Sequence, residues 1–329
     1  MNKFLIIGDS HGKKFNLDRL ESMLINSKEL ASDTDATVFL GDLNDSKSII
    51  RSEIQTLYMK YFSKWPNKLI ILVGNHDYHN AIECKEHSLE IFKNIKSENQ
   101  IIIVDKMQQI DNMIFSPYYH ETTKFKEDLS KFDSKYLFMH QGVDGCLYSS
   151  GTPEQSDLKK KDLKRFTRVI GGHIHMHQVF DNIDFIGSPF TQNFGEAGEK
   201  KFIAIFDKGS NKLDYMKTNI PQHIIIEREI NDIKDIAGIK KELTDDTNII
   251  KLIIRCPKSI SSKIKRSMFV DCSINSLKVD PIKEDNDKIF ISSTMSNDEA
   301  MKTFIDSLNT ELDKKELMEI NNIIMGEVK

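Results

Sequence analysis

The chain has 329 residues, 39% of them hydrophobic and 29% charged, with a formal net charge of −4 at pH 7. This is the make-up of an ordinary globular protein, and the length favours two domains over one core. The acidic balance argues against a strongly basic nucleic-acid binder, and no apolar run approaches the roughly 18 residues of a membrane span.

The N-terminus runs directly into a strand, which makes an intracellular protein the expectation. Cys84, Cys146, Cys256 and Cys272 are scattered without CxxC spacing, so neither a disulfide scaffold nor a zinc-thiolate site is expected. The first strand, FLIIG at 4–8, ends in Asp9, Ser10 and His11. Leu17, Leu20, Met23 and Leu24 then predict a helix over 16–30. VFLG at 38–41 is a second strand and delivers Asp42; apolar residues recur at helical spacing over 49–65, where Pro66 ends the helix. LIILVG at 69–74 is the third, a strand buried on both faces that carries Asn75, His76 and Asp77 at its end, with a helical stretch over 89–95 behind it. This alternation is that of βαβ units around a parallel sheet.

From residue 101 the texture changes to short strands at 101–104, 113–116, 136–140, 169–172, 185–187, 202–206 and 213–217, which predict a second sheet packed on the first. The basic segment LKKKDLKRF at 158–166 reads as a short helix with a solvated face. A composition break near Pro221 opens a tail with strands at 224–230, 249–256, 277–279 and 289–292 and helices at 233–243 and 261–268. A helical region over 299–325 closes it, with Met301, Phe304, Ile305, Leu308, Leu312, Leu317, Ile320 and Ile324 on an apolar stripe.

Ligands of open α/β sheets bind beyond the carboxyl ends of the strands. Five strand ends here carry donors: Asp9 and His11, Asp42, Asn75, His140, then His173 and His175. Oxygen and imidazole ligands without thiolate suit manganese, iron or zinc. Seven donors form two sites if one carboxylate is shared, and Asp42, alone at its strand end, is the natural bridge. Two ions about 3.5–4 Å apart would clamp the attacking and leaving oxygens of a phosphoester and acidify a bridging water. His76 would serve as general acid or stabilise phosphate charge, and Asp77 would orient a neighbouring imidazole or the loop. Lys13 and Lys14, beside the first metal loop, have a claim on a phosphate; His79 either meets substrate or stands behind the ligands.

GDSH, GD, GNHD and GHIH, in this order, resemble the signature of the calcineurin-like metallophosphoesterases, a two-metal family with a four-layer αββα sandwich. The resemblance implies one ion on Asp9, His11, Asp42 and His175, a second on Asp42, Asn75, His140 and His173, and His76 in the position of the catalytic histidine. The second motif continues as GDLND, unlike the protein phosphatases of the family. The segment GGHIHMHQ, then IGSPFTQNFGEAGEKKFIAIFD at 186–207, is similar to the SbcD nucleases, and to recombination nuclease subunits of T-even-type bacteriophages. This implies a Mn²⁺-dependent nuclease acting on double-stranded DNA ends, as a homodimer with an SbcC-like coiled-coil ATPase, in the cytoplasm of a bacterial cell or encoded by a phage. Asp45 departs from the SbcD pattern, which has a phosphate-contacting histidine there.

The expected architecture is thus an α/β metallophosphoesterase sandwich over 1–219, an α+β capping domain over 220–293 and C-terminal helices over 294–329 as a partner-docking segment. Two alternatives accompany the nuclease: a phosphodiesterase or phosphatase for nucleotides or other small phosphoesters, and a weakly active scaffold that binds DNA ends or the ATPase.

Overall fold

The structure, a computed structural model, describes residues 1–243, 247–282, 301–303, 305, 313–314, 316–317 and 320. It opens with β1 (Lys3–Ile7), α1 (Leu17–Ala31), β2 (Ala36–Phe39), α2 (Ser52–Phe62), β3 (Lys68–Leu72) and β4 (Ile101–Val104). Helix α1 forms because Leu20, Met23, Leu24, Ser27 and Ala31 recur on one face, and that face is the buried one. In α2 the buried stripe is Ile54, Tyr58 and Phe62.

A second run follows: β5 (Gln108–Ile110), β6 (Met113–Ser116), α3 (Thr122–Leu129), β7 (Tyr136–His140), β8 (Arg168–Gly172), β9 (Gln178–Phe180), β10 (Ile183–Phe185), β11 (Phe202–Asp207) and β12 (Lys212–Lys217). These strands and the first four make two six-stranded sheets, in the orders β12-β11-β1-β2-β3-β4 and β5-β6-β7-β8-β10-β9. Strands β1 to β4, and β6, β7, β8 and β10, pair in parallel. The antiparallel pairs are β1 with β11 and β11 with β12 in the first sheet, and β5 with β6 and β9 with β10 at the two edges of the second.

Alternation along each strand separates three apolar layers. Phe4, Ile6, Val38 and Ile70 of the first sheet meet Phe115, Phe138 and Ile170 of the second. Leu5, Ile7, Phe39 and Ile71 point the other way, to α1 and α2. Ile114, Leu137, Met139 and Val169 pack with Phe125 and Leu129 of α3. The result is a four-layer αββα sandwich.

Beyond it lie β13 (His223–Glu229), α4 (Ile236–Glu242), β14 (Ile249–Pro257), α5 (Lys258–Ser261) and β15 (Ser276–Ile282), whose strands form a sheet in the order β13-β14-β15. The described residues fall into two compact units. One takes 1–226, 247–251 and 273–276; the other takes 227–243, 252–272, 277–282 and the described residues beyond 300.

Several local expectations need correction. The helices expected over 89–95 and 158–166 are 3₁₀ turns, Ser88–Asn94 and Lys160–Leu163. The helix expected over 261–268 is broken: α5 stops at Ser261, and Lys265 is extended (φ −126°, ψ 151°) before a 3₁₀ turn at Arg266–Phe269. Helix α3 and the edge strands β5 and β9 were not expected. The strand read at 289–292 and most of the helical region at 299–325 lie outside the described residues.

The inter-sheet layer gives one stability prediction. Phe138 is fully buried, with its ring stacked on Phe115 at 4.7 Å and its edge near Phe206. Phe138→Ala is expected to cost about 3–5 kcal/mol, measured by chemical denaturation of the metal-free protein.

Candidate metal centre

The strand register brings the donors to one edge. Ile7, Phe39 and Ile71 stand side by side in the first sheet, so the loops carrying Asp9, Asp42 and Asn75 leave it together. In the second sheet His140 pairs with Gly172, the residue before His173. The turns at these ends are tight. His11, Asp42 and His173 take left-handed φ values of 42°, 49° and 78°, a conformation that costs a non-glycine residue about 1–3 kcal/mol and persists where the surroundings over-determine it.

The seven donors come together around Asp42, and Asp9 also reaches both sides, its Oδ1 lying 3.9 Å from His140 Nδ1. Asp42 Oδ2 lies 3.6 Å from His11 Nε2 and 3.3 Å from His140 Nε2. On the first side His11 Nε2 is 2.9 Å from His175 Nε2, which is 3.9 Å from Asp9 Oδ2. On the second, Asn75 Oδ1 is 3.0 Å from His140 Nε2 and 2.9 Å from His173 Nδ1.

Proton accounting shows that this arrangement suits a cation. The His140 Nδ1–H donates to Leu40 O at 2.7 Å. Its Nε2 therefore faces Asp42 Oδ2 and Asn75 Oδ1, both acceptors, and needs either a second proton or a metal there. Without a metal it takes the proton: burial opposes the charge, but Asp42 and Asp9 raise His140 to about 9. Burial would likewise raise Asp42, yet His140 and His11 hold it well below the carboxylate range. Burial pushes Asp9 up to about 6 and His173 down to about 3, and lowers His11 strongly, so these imidazoles keep free lone pairs. Asp9 Oδ1 and His11 Nδ1 are buried with no hydrogen-bond partner. An orphaned carboxylate oxygen, neutral imidazoles at His11 and His173 and no thiolate fit a divalent ion with oxygen and nitrogen ligands.

Around the donors, the buried Asp77 ties two loops together. Its carboxylate accepts N–H bonds from Gly74 (3.0 Å), Leu43 (3.3 Å) and Asn44 (3.1 Å). Burial, and then the nearby Asp42 charge, push it to about 7. His76 donates its backbone N–H to Asp42 Oδ1 at 2.7 Å, and its Nδ1 lies 2.7 Å from Asp45 O. With Asn75, Tyr148, His173 and His175, His76 lines a cleft of about 400 Å³. The Asp45 carboxylate accepts from Lys13 Nζ at 3.1 Å and stands 3.7 Å from His11 Nδ1. Lys14 and His79 are exposed and stand outside the cluster.

Three neighbours of the donors have no part in the sequence-level site. Tyr118 stacks on His173 with ring centroids 6.0 Å apart, and Glu196, supported by Lys201, bonds His175. Burial would raise Glu196, but His175 and Lys201 hold it at about 2. The FGE of the 186–207 segment is the signal for Glu196; nothing in the sequence marks Tyr118. A separate group, His87, Glu90 and Asp105, already has an ammonium: Lys93 Nζ lies 2.7 Å from both carboxylates.

The family model for calcineurin-like phosphoesterases matches residues 2–177. The chain belongs to that family. This calcineurin-like phosphoesterase is 27% identical over 280 residues to 244L of Invertebrate iridescent virus 6, a protein assigned to the phosphoesterases; the match covers 79% of this chain and 95% of that one. The corresponding protein 078R of Invertebrate iridescent virus 3 is 23% identical over 306 residues, 80% of this chain and 84% of that one. Exonuclease subunit 1 of Enterobacteria phage T4 is 22% identical over 156 residues, 46% of each chain. Calcineurin-like phosphoesterases are metal-dependent hydrolases, and the Asp and His groups above are able to hold divalent ions. Among the described residues no helix is long and apolar enough to cross a membrane.

Two predictions follow from the geometry. A Cβ on Gly74 would stand 2.1 Å from Asp42 Oδ1, so Gly74→Ala is expected to displace the shared carboxylate. Mn²⁺ affinity should fall about 10–100-fold by isothermal titration calorimetry. The second concerns pH. In the metal-free fold His140 keeps its second proton up to about 9, against 6.5 when unfolded, so its stabilisation is complete below 6.5 and lost as pH rises through 9. A metal replaces that proton. The Tm gain on adding Mn²⁺ should therefore grow from pH 6.5 towards about 9 in scanning calorimetry; a gain that shrinks would contradict the assignment.

Proposed function

We propose that the chain is a two-metal, Mn²⁺-dependent phosphodiesterase that hydrolyses DNA, acting as the nuclease subunit of an SbcCD-like recombination and repair complex. The observation that carries the two-metal part is Asp42 Oδ2, set 3.6 Å from His11 Nε2 and 3.3 Å from His140 Nε2. Divalent ions at the two donor groups would neutralise phosphoryl charge and ease deprotonation of the attacking water. The chain's own residues do the rest. His76 has Nδ1 engaged by Asp45 O, which leaves Nε2 for the substrate; protonated, it donates to the leaving oxygen. Lys13, held beside the first donor group by Asp45, offers a cation to a flanking phosphate.

DNA as the substrate is supported by the similarity to a phage exonuclease subunit and by the SbcD-like 186–207 segment. The word "subunit" in that relative's name supports an assembly, in which we assign 220–293 as a cap and 294–329 as the docking segment for an SbcC-like ATPase, with two copies of this chain per complex. A second reading, hydrolysis of nucleotides or other small phosphoesters, is favoured by coverage. The two iridescent-virus proteins that match about four-fifths of this chain carry phosphoesterase in their names and not nuclease.

Hydrolysis of end-labelled duplex DNA and of bis-p-nitrophenyl phosphate, with Mn²⁺, Mg²⁺ or chelator, separates these. The native chain is expected to cleave both with Mn²⁺, and Asp42→Asn neither. Cleavage of the small ester alone, with the ATPase subunit supplied, would favour the second reading. No cleavage of either would leave a binding scaffold.

A further inference from the structure

Besides the donors, the site holds a buried ion pair with no role in the reaction described above. Glu196 and Lys201 are 2% and 3% exposed. Taking such a pair out of water is unfavourable, and apolar residues of similar volume often serve stability as well, so stability alone does not account for it. Its contacts converge on one residue. His175 Nδ1 lies 2.9 Å from Glu196 Oε1, and Lys201 Nζ donates to the main-chain oxygen of the same His175 at 3.0 Å. Lys201 Nζ also reaches Glu196 Oε2 (2.7 Å), Glu199 Oε2 (2.8 Å) and Ser188 Oγ (2.8 Å). Glu196 Oε2 in turn accepts the Gln192 N–H at 3.0 Å.

We infer that Glu196 and Lys201 are a positioning pair for one of the two metal groups only. A carboxylate accepts, so the proton of His175 stays on Nδ1 and the lone pair of Nε2 is directed to the side where His11 Nε2 and Asp9 Oδ2 stand. Lys201 holds both ends of this arrangement, the carboxylate and the His175 backbone. The other group has its own anchors: Leu40 O fixes His140, and Asn75 Oδ1 meets both His140 and His173, whose backbone N–H donates to Asp9 Oδ2 at 2.7 Å. Among the described residues, the hydrogen bonds of Glu196 and Lys201 reach His175 and none of Asn75, His140 and His173. Removing the pair therefore acts on the group of Asp9, His11 and His175 and spares the group of Asn75, His140 and His173.

The inference rests on the two-metal reading, and the test separates the two. Mn²⁺ binding to the full chain is titrated by electron paramagnetic resonance for the native protein, Glu196→Gln, and the double variant Glu196→Gln with Lys201→Met, which leaves no ammonium short of a carboxylate. The expected result is two ions on the native chain and, in both variants, one site weakened about 10–100-fold with the other unchanged. A role confined to holding the fold would lower Tm without discriminating between the sites. A native chain that binds two ions, with variants that lose both sites equally or neither, overturns the inference alone. A native chain that binds fewer than two overturns the two-metal reading and the inference with it.

Discussion

At the centre of this molecule, buried oxygen acceptors face one another across imidazole rings. Asp42 Oδ2 and Asn75 Oδ1 both confront the Nε2 of a histidine whose only other nitrogen is committed to Leu40 O. Buried acceptors that converge on one nitrogen are unfavourable unless a cation or a proton stands between them. Without a metal His140 holds that proton, and the structure around it keeps the acceptors in place.

Part of the holding is done by the backbone. Three of the seven donors sit at positive φ, and Gly74 lies so close to Asp42 that a methyl group would not fit. Strain of this kind survives because the strands below cannot move. Three apolar layers, two outside the sheets and one between them, lock β1, β2, β3, β7 and β8 in register. Polar bonds complete the lock: Asp77 gathers N–H groups from two loops, and Tyr58, held between Ser10 and Leu43 O, ties the first loop to the second.

The remaining support comes from far along the chain. Glu196 and Lys201 lie beyond the last histidine motif and beyond the 2–177 span of the family model, yet they act on His175. The similarity to the iridescent-virus proteins likewise extends past that span, over about four-fifths of the chain. The working unit of this phosphoesterase is therefore longer than its motifs.

The buried parallel strands were legible from sequence because a strand covered on both faces must be apolar at nearly every position, and the polar residues that follow it then stand out. That contrast is enough to find Asp9, Asp42, Asn75 and His140 without a structure. It fails where burial is partial. Gln108–Ile110 and Gln178–Phe180 are edge strands too polar and short to show a period, and α3 carries only Phe125 and Leu129 on its buried face. Distances between strand ends are also beyond it, because spacing along a chain does not report which ends meet. Only the tertiary structure decided that Asp42 stands between the two groups, that Leu40 O sets the proton of His140, and that Glu196 reaches His175. Those relations depend on register between strands and on loop geometry, which the packing of the whole sandwich determines.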